Sequence, residues 1–211
     1  MITAIAFDYG GVISLPMRQE DMEDLAALAG IDAALMERIY WDNRPSYDQG
    51  LVDGEEYFRN GLAAVGVFLD DALIGALVDR DVESWSRVNP GTEQLLGDLK
   101  AAGMKIGVLS NMVRGFLDRK KNALPVFSIP DAVIFSCEVG AVKPEERIYR
   151  MLLEQLGCRA EELVFFDDVE LNVEAARALG IEGLVWKDVN HAREELKSLG
   201  IQIGRRREAP Y

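Results

Sequence analysis

Three short apolar runs in this sequence end in groups able to do chemistry. Asp8 follows ITAIAF, the pair Ser110-Asn111 follows KIGVL, and Asp167-Asp168 follows LVFF. A carboxylate placed directly after a buried strand lies at the rim of a low-dielectric core, where its charge is poorly solvated, so it needs a cation or a donor beside it. Two such sites in one sheet suggest a shared ion. Taken singly, each has a plain structural explanation: Asp8 as a turn former before Gly10-Gly11, Ser110-Asn111 as a helix N-cap, and Asp167-Asp168 as the start of another helix. Together those explanations account poorly for reactive groups at three strand ends, because ligands of open α/β sheets bind beyond the carboxyl ends of the strands. Asn172, one helical turn after Asp168, either caps its helix or orients the groups around an ion.

A sheet is needed to bring these residues together. Apolar runs over 2–7, 105–109, 132–135, 163–166 and 183–186 are short and do not alternate, as expected of strands buried on both faces. After residue 90 they alternate with helical patterns over 92–102, 113–121, 145–156 and 171–179, three of them closed by Gly103, Gly157 and Gly180 in the left-handed C-terminal position. Residues 16–88 break the rhythm. Four helices are predicted there, over 18–29, 33–41, 54–64 and 71–87, with no strand between them, and Asp53-Gly-Glu-Glu56 reads as a reciprocal capping box at the third. The expected fold class is therefore α/β. A Rossmann-like parallel-sheet core, residues 1–15 and 89–211, carries a small all-helical insertion, residues 16–88, after its first strand. The basic tail 204–211 reads as a solvated terminus.

Composition narrows the chemistry. The 211 residues contain 23 Lys+Arg and 36 Asp+Glu, a formal charge of −13 that repels phosphate backbones and anionic lipid and speaks against nucleic-acid or membrane-surface partners. No apolar stretch approaches the roughly 18 residues of a membrane helix, and the opening run meets an acid too early for a signal peptide, so a cytoplasmic protein is expected. Two cysteines, Cys137 and Cys158, cannot build a disulfide framework and read as core thiols. The one histidine, His191, opens a C-terminal helical pattern, and no GxSxG elbow accompanies it, which leaves carboxylates and a metal to carry any catalysis.

Four segments together resemble the haloacid dehalogenase superfamily of aspartyl-nucleophile hydrolases: AIAFDYGGV, IGVLSN, GAVKPEERIY and VFFDDVELN, in that order across nearly the whole chain. The resemblance implies Asp8 as the nucleophile on phosphorus, and Ser110, Asn111 and Lys143 as phosphate ligands. It also implies Mg2+ held by Asp8, the carbonyl of Gly10, Asp168 and the adjacent Asp167. Physical chemistry favours those roles. A carboxylate approaching a phosphoryl group is repelled unless a divalent cation neutralises both, and hard oxygen ligands suit magnesium. Lys143 is then both a charge on the phosphoryl group and a counter-ion for Asp8.

The superfamily's phosphatases mostly carry a second Asp two residues after the nucleophile, as general acid and base, and here that position is Gly10. Loss of such an acid costs about 10²–10⁴-fold in rate, least with good leaving groups such as an anomeric sugar oxygen. The resemblance is closest to the branch of α-glucose-1-phosphate phosphatases and the phosphatase domain of soluble epoxide hydrolases, which implies a small phosphorylated substrate and favours a sugar phosphate. The helical insertion corresponds to the family's cap. Within it, residues 41–50 read as the specificity loop, with Arg44 and Tyr47 on substrate; the alternative is an ordinary helix connection with Arg44 paired to Asp48. Two other readings stay open, a metal-independent 2-haloacid dehalogenase and a catalytically impaired pseudo-phosphatase. The expected assembly is a monomer or homodimer.

Overall fold

The strands form because their residues pack on both faces. In the computed structural model, which describes residues 1–203, five strands build one parallel sheet: β1 (Ala4–Phe7), β2 (Lys105–Ser110), β3 (Ala132–Phe135), β4 (Leu163–Asp167) and β5 (Glu182–Val185), in the order β3-β2-β1-β4-β5. The order reverses at β1, which therefore lies at the switch point where α/β sheets bind ligands. On one face Ala6, Leu109, Ile134 and Phe165 pack under α9 (Glu146–Leu156) and α10 (Glu170–Ala178). The other face, with Ile5, Phe7, Val108 and Phe166, is covered by α6 (Pro90–Ala101) and α11 (Val189–Ser198). All three predicted glycine stops, after α6, α9 and α10, hold, with Gly103, Gly157 and Gly180 at positive φ.

Between β1 and α6 lie five helices and no strand of the sheet: α1 (Gln19–Ala29), α2 (Ala33–Asp42), α3 (Arg44–Asp48), α4 (Gly54–Ala63) and α5 (Asp71–Ser84). They are the helical cap inserted after the first strand. Their apolar sides, among them Leu25, Met36, Phe58 and Leu77, join the same buried cluster that covers the Ile5 face of the sheet. The two strands of chain that enter and leave the cap touch each other, with a bridge between Ser14 and Val88 and Leu15 N donating to the Arg87 carbonyl at 2.7 Å.

The structure differs from the sequence reading in five places. The segment 41–50 is not an open loop, since α2 runs on to Asp42 and α3 fills most of the remainder. The last predicted cap helix stops at Ser84, because residues 85–88 are held by the chain crossing at Leu15 rather than by a helical ladder. Only the forward half of the capping box forms, Asp53 Oδ1 accepting from Glu56 N at 2.8 Å. A further short helix, α8 (Ser136–Val139), follows β3, and α7 (Arg114–Lys120) starts after Val113 with no side-chain cap, rather than being capped by Ser110 or Asn111. The basic tail 204–211 lies outside the described residues. Among the described residues no helix is long and apolar enough to cross a membrane.

Candidate active site

The carboxyl edge of the sheet collects the polar strand ends. Asp8 N donates to the Phe166 carbonyl at 2.8 Å, which sets the end of β1 beside the end of β4. Lys143, almost wholly buried, reaches over both: its Nζ lies 2.8 Å from Asp8 Oδ1 and 2.6 Å from Asp167 Oδ2. Burial works against its charge, but Asp8 and Asp167 more than compensate and hold it as an ammonium. Asp8 Oδ1 also accepts from Tyr9 N at 2.6 Å, so one oxygen of this carboxylate is committed. Burial pushes the Asp8 carboxyl up to about 7, against the pull of Lys143.

The two acids of β4's end differ. Asp167 is fully buried and its oxygens accept from Lys143, from Asn172 Nδ2 at 3.0 and 3.2 Å, and from Val169 N at 2.9 Å. Its lone pairs are taken up by protein, which makes it the group that positions Lys143; Asn172 in turn positions Asp167. Asp168, by contrast, has no hydrogen bond or ion pair for its carboxylate among the described residues. Burial and the neighbouring Asp167 charge raise its carboxyl. A Cβ on Gly11, which has φ 70°, would strain the turn and stand 2.7 Å from Asp168 Oδ2, pushing this acid aside. Carboxylate oxygens of Asp8, Asp167 and Asp168 all lie within 4.8 Å of one another.

Ser110 and Asn111, both read as phosphate ligands, are placed differently. Ser110 is buried at the cavity wall with its hydroxyl unbonded among the described residues. The Asn111 side chain accepts from Lys143 N at 2.8 Å and donates to the Lys143 carbonyl at 3.1 Å, so it fixes the lysine loop. Pro144, joined to Lys143 by a cis bond, precedes the Glu145 cap of α9.

A cavity of about 240 Å³ opens from these groups toward the cap. On the cap side Arg44 Nε pairs with Asp48 Oδ1 at 2.8 Å and its Nη1 with Asp81 Oδ1 at 3.4 Å. Burial raises the Asp48 carboxyl although Arg44 opposes it. The short helix α3 is docked on the core: Ser136 Oγ donates to the Asp48 carbonyl, and Gln49 Nε2 donates to the Gly140 carbonyl at 3.0 Å. Tyr47 is not at the cavity. It is fully buried in the cap with its ring stacked on Tyr57 at 4.4 Å. Arg44 does line the cavity, paired as the plain helix-connection reading has it. Trp85, Asp81 and Phe116, which sequence reasoning missed, also line it. Each falls in an amphipathic helix or at its end, where nothing in the local pattern separates a cavity wall from a core face. The Trp85 ring passes 3.4 Å from where a Cβ on Gly10 would be. His191 lies on α11 and is not among the cavity's lining residues; Cys137 is buried and Cys158 half-buried, both free.

Comparison with known proteins agrees with this geometry. Residues 2–180 match the model of the haloacid dehalogenase-like hydrolase family. The chain is 28% identical over 210 residues to phosphatase MT3486 of Mycobacterium tuberculosis, covering 94% of this chain and 95% of that protein. It is 27% identical over 216 residues to a phosphoglycolate phosphatase of Rhodospirillum rubrum, covering 95% and 85%. Among solved structures, a HAD family enzyme of Bacteroides thetaiotaomicron in complex with magnesium and inorganic phosphate superposes with a TM-score of 0.69 at 23% identity, over 91% of this chain and 99% of that one.

Proposed function

Since the chain belongs to the haloacid dehalogenase-like hydrolases, we propose that it is a magnesium-dependent phosphatase of a small phosphomonoester, working through an aspartyl-phosphate on Asp8. The observation that carries this reading is the convergence of Asp8, Asp168 and the Lys143 ammonium on one cavity at the switch point of the sheet. Phosphatase-named relatives along almost the whole chain support the same reaction class.

The residues present fit a hard divalent cation. Asp168 is an exposed carboxylate at the cavity with no partner among the described residues, Asp8 keeps one oxygen uncommitted, and both carboxyls are pushed toward protonation by desolvation, a cost that a bound cation would remove. Asp8, Asp168 and the carbonyl of Gly10 would hold it, with Asp167 acting behind them on Lys143. The related Bacteroides structure, solved with magnesium and phosphate, supports the choice of ion. Bound magnesium supplies the charge neutralisation that lets a carboxylate approach a phosphoryl group.

The chain's own groups do the rest. Tyr9 N and Lys143 Nζ hold the Asp8 carboxylate in place, from which one oxygen would attack phosphorus. Ser110 Oγ and Lys143, both lining the cavity, would meet the phosphoryl oxygens, and Asn111 and Asp167 keep the lysine from swinging away. In-line displacement then sends the leaving oxygen away from Asp8, toward the cap wall. Residues 16–88 would serve as the lid that excludes competing water.

Purified protein should release inorganic phosphate from monoesters with magnesium, lose that activity in EDTA, and lose at least 10³-fold of it in Asp8→Asn. Phosphate release from no monoester, or EDTA-insensitive halide release from 2-haloacids, would overturn the reading. The partnerless Asp168, within 4.8 Å of the Asp8 carboxylate, weighs against the second outcome, because a metal-independent reaction on carbon has no use for a second acid beside the nucleophile.

A further inference from the structure

The wall toward which the leaving group points is made of rings and methyl groups whose polar tips are turned away. Tyr9 OH donates to the Trp85 carbonyl at 3.0 Å, and Trp85 Nε1 donates to Tyr40 OH at 2.9 Å. Tyr40 OH in turn donates to Asp81 Oδ1 at 2.5 Å. The polar cap residues at the cavity, Arg44, Asp48 and Asp81, are tied to one another, and the Arg44 guanidinium lies over the Tyr40 ring, 4.7 Å from its centroid. What faces the ligand is therefore the surface of Tyr9, Trp41, Val82, Trp85, Val113 and Phe116. A polyhydroxylated leaving group would bury hydroxyls against this wall without partners, which is unfavourable for each one. Flat aromatic rings suit it, because they bury large apolar area and stack on or against other rings. The volume, about 240 Å³, lies below the roughly 300–1,000 Å³ common for ligand sites, and so limits the ligand to one small ring system with its phosphate.

Leaving-group chemistry points the same way. Position 10 carries no side chain, and the Trp85 ring covers it, so no proton is donated from that place. A phenolic oxygen, with a pKa of about 10, departs as an anion far more readily than an alkyl alcohol, whose pKa is near that of water at roughly 16.

We propose that this site selects phosphomonoesters of flat aromatic alcohols. The proposal rests on the phosphatase reading for the reaction, and on the cap wall alone for the selection. In the first step an Asp8 oxygen bonds to phosphorus while the P–O bond to the ring breaks; the aryl oxide leaves with the electron pair and takes its proton from water. In the second a water attacks phosphorus, the bond to Asp8 breaks to restore the carboxylate, and inorganic phosphate and the water's proton are released.

Two measurements on the full chain with magnesium test the two parts separately. Binding of (1-naphthylmethyl)phosphonate, which cannot be hydrolysed, is compared by calorimetry with hexylphosphonate and 3,4-dihydroxybutylphosphonate. Turnover is compared among 1-naphthyl phosphate, hexyl phosphate, glycerol 3-phosphate and glucose 1-phosphate. The naphthyl phosphonate should bind at least tenfold more tightly than either other phosphonate, and 1-naphthyl phosphate should have the lowest KM. Trp85→Leu and, independently of any folding defect there, Phe116→Leu should each shrink the naphthyl preference at least fivefold, chiefly through KM. Equal or tighter binding of the hexyl or hydroxylated phosphonate, or the lowest KM for glucose 1-phosphate, overturns the selection. Tight naphthyl binding with no phosphate released from any ester leaves the selection standing and overturns the phosphatase reading instead.

Discussion

Asp8 and Asp168 carry negative charge at the same rim, yet they are separated in role by what the backbone lets near them. The pivot is Gly11. Its φ of 70° and the 2.7 Å from its would-be Cβ to Asp168 Oδ2 mean that any side chain there both strains the turn and displaces the partnerless acid. Gly11→Ala should therefore destabilise the fold by about 1–2 kcal/mol, the scale of a left-handed non-glycine residue, and weaken magnesium binding at least tenfold. Thermal melting and a magnesium titration of the same preparation check both, and a variant that kept wild-type magnesium affinity would show that Asp168 has room to spare. The strand-end residues Asp8, Ser110, Asp167 and Asp168 were legible in the sequence because polar groups after buried runs stand out against them, whereas the loop residue Lys143 was marked only by the family resemblance of its segment. The division of labour among them was not. Nothing in the string FDDVELN says that Asp167 turns inward to Lys143 and Asn172 while Asp168 faces the cavity, since that choice is made by the lysine arriving from residue 143 and by the glycine passing at residue 11.

The elements of the sheet came within one or two residues of their predicted bounds, because continuous apolar runs and terminal glycines are local signals. Elements whose ends are fixed by distant partners did not: α5 stops at Ser84, and α3 forms as a short helix where an open loop was expected, docked through Ser136 and Gly140 of the core. The cap's attachment shows the same non-local control. Asp21, wholly buried at the start of α1, accepts from Arg18, Arg80 and Arg87, with Arg87 Nη2 at 2.5 Å and Arg80 Nη2 at 2.6 Å. Arg18 lies in the chain entering the cap, Arg87 in the chain leaving it, and Arg80 on α5, so one carboxylate ties both connecting segments to α1 and α5. Burial raises the Asp21 carboxyl, but hydrogen bonds from Arg87 and Arg18 outweigh it and hold it well below the usual carboxylate range. A depressed folded-state pKa stabilises above the unfolded value, about 3.9, and that stabilisation is lost as pH falls below it. Asp21→Asn should lower stability at pH 7 by about 2 kcal/mol, less than the roughly 3–5 of a fully buried pair because the arginines are partly solvated. The deficit should shrink below about pH 4. Urea denaturation at pH 7 and pH 3.5 distinguishes this from a packing defect, which would persist at both.

Over the whole molecule the charge of −13 does nothing to draw in an anionic phosphate, so attraction must come from the local field at the sheet's edge. That field is itself pH-dependent. Without a cation, burial raises the Asp8 carboxyl from 3.8 to about 7 and raises that of Asp168 as well. The folded metal-free protein therefore binds more protons than the unfolded chain between those limits, and its stability declines as pH rises through them. A cation at Asp8 and Asp168 favours their ionised forms and cancels that decline. The stabilisation by magnesium should accordingly grow with pH: small at pH 5.5, where protons compete for the site, and larger at pH 8. In a chain of this size 1 kcal/mol moves the melting temperature by roughly 2–4 °C, so melting curves at the two pH values, with and without 5–10 mM magnesium, resolve the difference. The same curves on Asp8→Asn should show a flatter pH dependence and a much smaller magnesium shift. A magnesium shift equal at both pH values would mean that the cation binds among the exposed acids of the surface and leaves the rim of the sheet to Lys143 alone.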